Sequence, residues 1–123
     1  MNTLNELAQE IHANAQAKGF FEKPKNIGEM LCLIHSEVSE ALEADRKDKY
    51  CSYPMGAVNG WVEDSDFIES YKRNVKGTFE EEMADILIRV LDLCAFKKID
   101  IDVHVKAKMR FNAQREKYHG KKY

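Results

Sequence analysis

At 123 residues the chain supports one domain with a modest core. Its 44% hydrophobic and 33% charged residues exclude both a disordered chain and a membrane protein, since no run approaches the roughly 18 apolar residues of a spanning helix. A formal charge of −2 argues against a nucleic-acid polymer as partner, although the segment from Lys106 to Tyr123 carries seven Lys or Arg against one acid, Glu116. No basic stretch followed by an apolar one opens the chain, and Cys32, Cys51 and Cys94 are odd in number and widely spaced. Free thiols in a reducing cytoplasm are therefore expected.

Helix signals dominate from one end to the other. Thr3-x-x-Glu6 is a capping box that opens a first helix over about residues 3–18, closed by Gly19. Asn26-x-x-Glu29 opens a second over about 26–48. Residues 49–62, with Pro54, Gly56 and Gly60, read as loop, and Phe67, Ile68, Tyr71 and Val75 mark a short amphipathic helix over about 64–75. Thr78-x-x-Glu81, straight after Gly77, opens a helix over about 78–97. Asp100 caps a last helix that runs to about 117, before Gly120. The expectation is an all-α, antiparallel helical bundle of four main helices plus a short inserted one, a single domain over 1–123 with an insertion at about 49–77. A bundle this small often pairs to finish burying its apolar surface, so a homo-oligomer built on a dimer is expected.

Two carboxylate pairs sit at helical spacing, Glu37-x-x-Glu40 and Glu82-x-x-Asp85. At 100° per residue from Met30, the apolar arc of the second helix holds Ile34, Val38, Leu31 and Leu42, flanked by Leu33 and Ala44, and Glu37 falls at about 340°, inside this stripe. Glu40 lies on its edge. On the later helix, apolar residues cover most of the circumference, which places that helix centrally, and Glu82, Asp85 and Arg89 form one polar strip. If the two helices face each other, four carboxylates converge. The bland alternative is a buried salt bridge from Arg89 to Glu82 or Asp85, which leaves several acids without partners.

No histidine lies three residues from these acids, which argues against zinc and against a di-iron Glu-x-x-His site. All-oxygen ligands point to Mg²⁺, with Mn²⁺ as a substitute. Lys108, Asn112 and Arg115, at i, i+4 and i+7, form one stripe suited to phosphate and nucleotide contacts. Cys94 lies in the apolar arc as a core residue, not a nucleophile; His35 is a packing or interface residue, and His12 and His119 are minor candidates for the site's rim.

These residues resemble the MazG-like family of all-α nucleoside triphosphate pyrophosphohydrolases. The stretches HANAQAKGFFEKPKNIGEMLCLIHSEVSEALEADRK, EEMADILIRVLDLCAFKKIDID and KMRFNAQREKYHGKKY carry the resemblance. It implies Mg²⁺-dependent hydrolysis of a nucleoside triphosphate, often deoxy or non-canonical, to monophosphate and pyrophosphate. It also implies Glu37, Glu40, Glu82 and Asp85 as metal ligands, Lys108, Asn112 and Arg115 as substrate contacts, and a dimer or tetramer. Glu37 or Glu40 is then the acceptor of the attacking water's proton. Forty-one residues separate Glu40 from Glu82, more than the compact family pattern. Within that insertion Trp61 is either a base-stacking residue of a lid or simply a packing aromatic. The rival readings are hydrolysis specific for dUTP or phosphoribosyl-ATP, and a non-catalytic helical module that binds nucleotide or protein.

Overall fold

The computed structural model describes residues 2–52 and 64–115, which form five α-helices and no strand. They are α1 (Leu4–Ala17), α2 (Ile27–Arg46), α3 (Asp64–Asn74), α4 (Phe79–Phe96) and α5 (Ile101–Gln114). The chain is all-helical, and none of these helices is long and apolar enough to cross a membrane. Trp61 and His119 lie outside the described residues. The last helix ends earlier than its pattern implies, because Arg115 turns extended at ψ 152°.

The helix starts follow the capping chemistry. The side chains of Thr3, Asn26 and Asp100 accept from the backbone N–H three residues on, of Glu6, Glu29 and Val103. Three helix ends share one closure, in which the two residues past the cap donate back across the last turn. At α1, Gly19 donates to Gln16 and Phe20 to Ala15, with Gly19 at φ +83°. At α2 and α4 the left-handed position is filled by Asp48 (φ 53°) and Lys98 (φ 57°). These ends lack the glycine that normally announces such a stop, and the sequence patterns overran both helices by a residue or two.

Two compact units make up the chain. One joins its two ends, Met1–Lys23 with Leu91–Tyr123. There Ala8, Leu91 and Ala95 form the buried centre, against which Leu4, Leu7, Ile11 and Ile101 pack. The N-termini of α1 and α5 cap one another. The Asp102 carboxylate accepts from the backbone N–H groups of Leu4 (3.1 Å) and Asn5 (3.0 Å), while the Asn5 amide oxygen accepts from that of Ile101 (2.9 Å). His12 Nδ1 meets Asp92 Oδ1 at 2.9 Å, with the His12 ring edge-on to Phe21 at 4.6 Å between centroids.

The other unit, Pro24–Val90, holds α2, α3 and the first part of α4. The Phe79 N–H donates to Lys49 O at 2.8 Å, so the end of α2 meets the start of α4. Further back on α2, Glu37 pairs with Arg89, further along α4. The two helices therefore run antiparallel. Acids of the first turn of α4 tie down both ends of the inserted segment: the Cys51 N–H donates to Glu80 and the Gly77 N–H to Glu81, each at 2.8 Å. From α3 and the turn after it, Ser70 and Val75 are buried.

Two expectations need correction here. Leu31, Val38 and Leu42 of α2, assigned to a core-facing arc, are 48%, 49% and 49% exposed. Nor is α4 apolar-buried all round, since Met83, Leu87 and Ile88 are also about half exposed. Helical periodicity marks which residues share a face but not whether this chain covers that face.

Candidate metal centre

The antiparallel pairing of α2 and α4 brings acids from both helices to one place. Carboxylate oxygens of Glu37, Glu40 and Glu82 lie within 4.8 Å of one another, close enough to share a cation. Glu37 and Glu82 are 7% and 9% exposed, while Glu40 is exposed. Glu37 and Glu40 are separated by nearly one helical turn, so both project from α2 toward the same neighbour.

Charge of one sign at this density is costly. Two unit charges about 5 Å apart repel by about 3 kcal/mol at an effective dielectric constant of about 20. One internal cation offsets part of it: Arg89 Nε–H donates to Glu37 Oε1 at 2.8 Å, with the arginine side chain 40% exposed. Arg89 thus pairs with Glu37 across the helices, and the alternative pairing with Glu82 or Asp85 of its own strip is not the one formed. The remaining oxygens are left over. Glu37 Oε2 and Glu82 Oε2 are buried with no hydrogen-bond partner, the costliest state for a carboxylate oxygen.

Titration reflects the same imbalance. Burial pushes the Glu82 carboxyl up, the close approach and charge of Glu40 push it further, and it reaches about 7. Burial acts on Glu37 in the same direction, but the hydrogen bond and charge of Arg89, together with the close approach of the neighbouring carboxyls, outweigh it and hold that carboxyl below its ordinary range. Burial and the neighbouring acids thus favour the protonated form of Glu82. A hard divalent cation fits what is present: all-oxygen donors, two of them buried and unpartnered, and more negative charge than one arginine neutralises.

Asp85 belongs to a second grouping, with Glu81 and Glu82, whose oxygens also lie within 4.8 Å of one another. Burial, then the charge of Glu37, raises the Asp85 carboxyl. Glu81 is already engaged: one oxygen accepts from the Gly77 N–H, and it lies close enough to the half-buried Tyr71 to add to the effect of burial in raising that hydroxyl's pKa. Glu81 thus serves the helix start, and the stronger cation position is that of Glu37, Glu40 and Glu82, with Asp85 beside it on α4. Next to Glu40 and Glu82 opens a cleft of about 180 Å³, also lined by Glu43, Lys47, Lys49 and Gly77. That is below the roughly 300–1,000 Å³ of small-molecule sites, and its charged lining is three acids and two lysines.

Of the final-helix stripe, Lys108 and Asn112 lie on α5, in the other unit, whereas Arg115 is the extended residue just past its end and so leaves the helical register the spacing implied; all three are exposed. Lys108 Nζ and the Arg115 guanidinium stand 5.0 and 5.2 Å from the centre of the Phe111 ring. Cys94 is buried and its thiol is raised by that burial, as suits a core residue. His35, assigned to packing or an interface, is exposed on the single chain and so is not packed within it. Two features of the centre escaped the sequence, the Arg89–Glu37 pairing and the approach of Tyr71. A helical wheel orders residues on one helix but carries no information on partners across helices.

No family model, curated protein or solved structure matches the chain.

Proposed function

We propose that this chain is a Mg²⁺-dependent nucleoside triphosphate pyrophosphohydrolase of the MazG-like kind, cytoplasmic and homo-oligomeric, acting on a deoxy or non-canonical nucleotide. The observation that carries the reading is the pair of buried, unpartnered oxygens, Glu37 Oε2 and Glu82 Oε2, inside an all-carboxylate cluster. Folding has placed them at a cost that a bound cation offsets.

In this reading Glu37, Glu40 and Glu82 hold Mg²⁺, with Asp85 as the fourth ligand the family resemblance implies. Bound Mg²⁺ supplies neutralisation of phosphate oxygens and a water of lowered pKa. A water oxygen forms a bond to the α-phosphorus, the bond from that phosphorus to the bridging oxygen breaks, and pyrophosphate leaves. The water's proton passes to a carboxylate of α2. Glu40 suits that task better than Glu37, being exposed where Glu37 is tied to Arg89. The cleft beside Glu40 and Glu82 receives phosphate groups, and Lys108, Asn112 and Arg115 remain the residues proposed for further substrate contacts. The half-exposed Leu31, Val38 and Leu42 support a second copy packed on α2.

The test is a panel of canonical, deoxy and oxidised triphosphates, dUTP and phosphoribosyl-ATP included, with Mg²⁺, Mn²⁺ or EDTA. Pyrophosphate and one monophosphate are the expected products, released only with metal. Glu40→Gln and Asp85→Asn are expected to fold and to lose turnover by about 10²- to 10⁴-fold. Metal-dependent nucleotide binding without any turnover would instead identify a non-catalytic module, and full activity in both variants would refute the ligand set.

A further inference from the structure

Arg89 is the one cation seen to touch the carboxylate cluster among the described residues, and the way it does so is informative. Two roles are open to such a residue. It can stand in for the metal, neutralising the acids until the ion displaces it, or it can hold a ligand in place for the ion.

A stand-in would satisfy the oxygens that the ion later takes. A guanidinium is well built for this, since its planar fork matches both oxygens of a carboxylate. Arg89 does otherwise. Its contact is through Nε to Glu37 Oε1 alone, and the buried oxygens left without partners are Glu37 Oε2 and Glu82 Oε2. The arginine thus engages one oxygen of Glu37 and leaves the buried one open. Arg89 also lies one turn beyond Asp85 and two beyond Glu82, so α4 carries a ligand and the clamp on the opposing ligand along one strip.

We infer that Arg89 is a positioning residue of this centre: its Nε–H fixes Glu37 Oε1 and so reserves Glu37 Oε2 for a divalent cation. The inference rests on the cation reading of the site. It implies that the directed Nε–H of the arginine matters, not merely its charge. As a like charge near the ion, Arg89 opposes binding, whereas as a hydrogen-bonding partner of a ligand it favours it. Partners of that kind typically contribute 10- to 100-fold in metal affinity, and the orienting effect prevails here.

The experiment is Mn²⁺ affinity of the full chain, read from the paramagnetic signal of free Mn²⁺ well below the melting temperature, where a loss of stability alone does not move it. Arg89→Lys keeps the charge and loses the planar donor; Arg89→Met loses both. Both are expected to bind Mn²⁺ about 10- to 100-fold more weakly than wild type. Wild-type affinity or better in either variant overturns the inference while leaving the cation site standing. If one of them does not fold, Arg89→Gln replaces it under the same criterion. A wild-type chain that binds no Mn²⁺ removes the cation reading and this inference together.

Discussion

Glu82 holds a proton in the folded, metal-free chain over a range where the unfolded chain has released it. Its carboxyl rises from an ordinary 4.5 to about 7, because burial and then Glu40 oppose its charge. The folded state binds more protons across that window, so stability falls as pH rises through it and levels off above. Asp85, raised by burial, adds a slope of the same sign, while the lowered Glu37 contributes stability that is lost only on further acidification. Thermal melts in EDTA are expected to show a declining melting temperature from about pH 5 to about pH 8. Glu82→Gln should abolish most of that decline and stabilise the metal-free chain at the alkaline end by about 1–3 kcal/mol, while weakening Mn²⁺ binding. A variant that is both less stable in EDTA and unchanged in metal affinity would contradict the strain assigned to this residue. The acids themselves were legible in the sequence, because Glu37 interrupts an apolar stripe. Which oxygens end without partners was not, since that depends on where Arg89 arrives from a helix 52 positions away in the chain.

At the level of the helices, the left-handed residues after α2 and α4 are the weak points of otherwise well-capped elements. Lys98 adopts φ 57°, a conformation that costs a residue with a Cβ about 1 kcal/mol. Lys98→Gly is expected to raise stability by about 0.5–1 kcal/mol in urea denaturation, the relief of strain exceeding the added chain entropy. The reverse holds at the end of α1. Gly19 sits at φ +83°, and a Cβ there would meet Glu22 Oε1 at 2.9 Å, so Gly19→Ala should cost about 1 kcal/mol. Asp102→Ala, which strips two N–H partners from the start of α1, should cost about 1–2 kcal/mol by the same measurement. Helix starts were legible because their caps are local, three residues apart. The reciprocal cap from Asp102 to α1 was not, for its partners lie at opposite ends of the chain.

Among the described residues, several large apolar side chains on shared helix faces stand half exposed. Leu31, Val38 and Leu42 share one face of α2 and are each about half exposed, as are Met83 and Leu87 of α4. Covering the exposed half of each contributes on the order of 1 kcal/mol, enough across several residues to drive association. Sedimentation equilibrium is expected to give a mass above the 14.2 kDa of one chain. Val38→Glu should shift that equilibrium toward the monomer without loss of helix content. A monomeric wild type at high concentration would show that the face is open for another reason.

Helix type, order and starting points were written locally, in cap residues and in a 3.6-residue rhythm that each segment carries within itself. The presence of carboxylates at the candidate site was also written locally, since four acids stand at one-turn spacing on two largely apolar helices. What required the folded chain was every relation between segments: the antiparallel register of α2 against α4, the hand of Arg89 on Glu37, the capping of α1 by α5, and the half of the apolar arc that stays uncovered. Periodicity orients a side chain about its own axis. Only packing decides what stands opposite, and it is the opposing group that makes a carboxylate a paired ion, a proton carrier or an oxygen left for a metal.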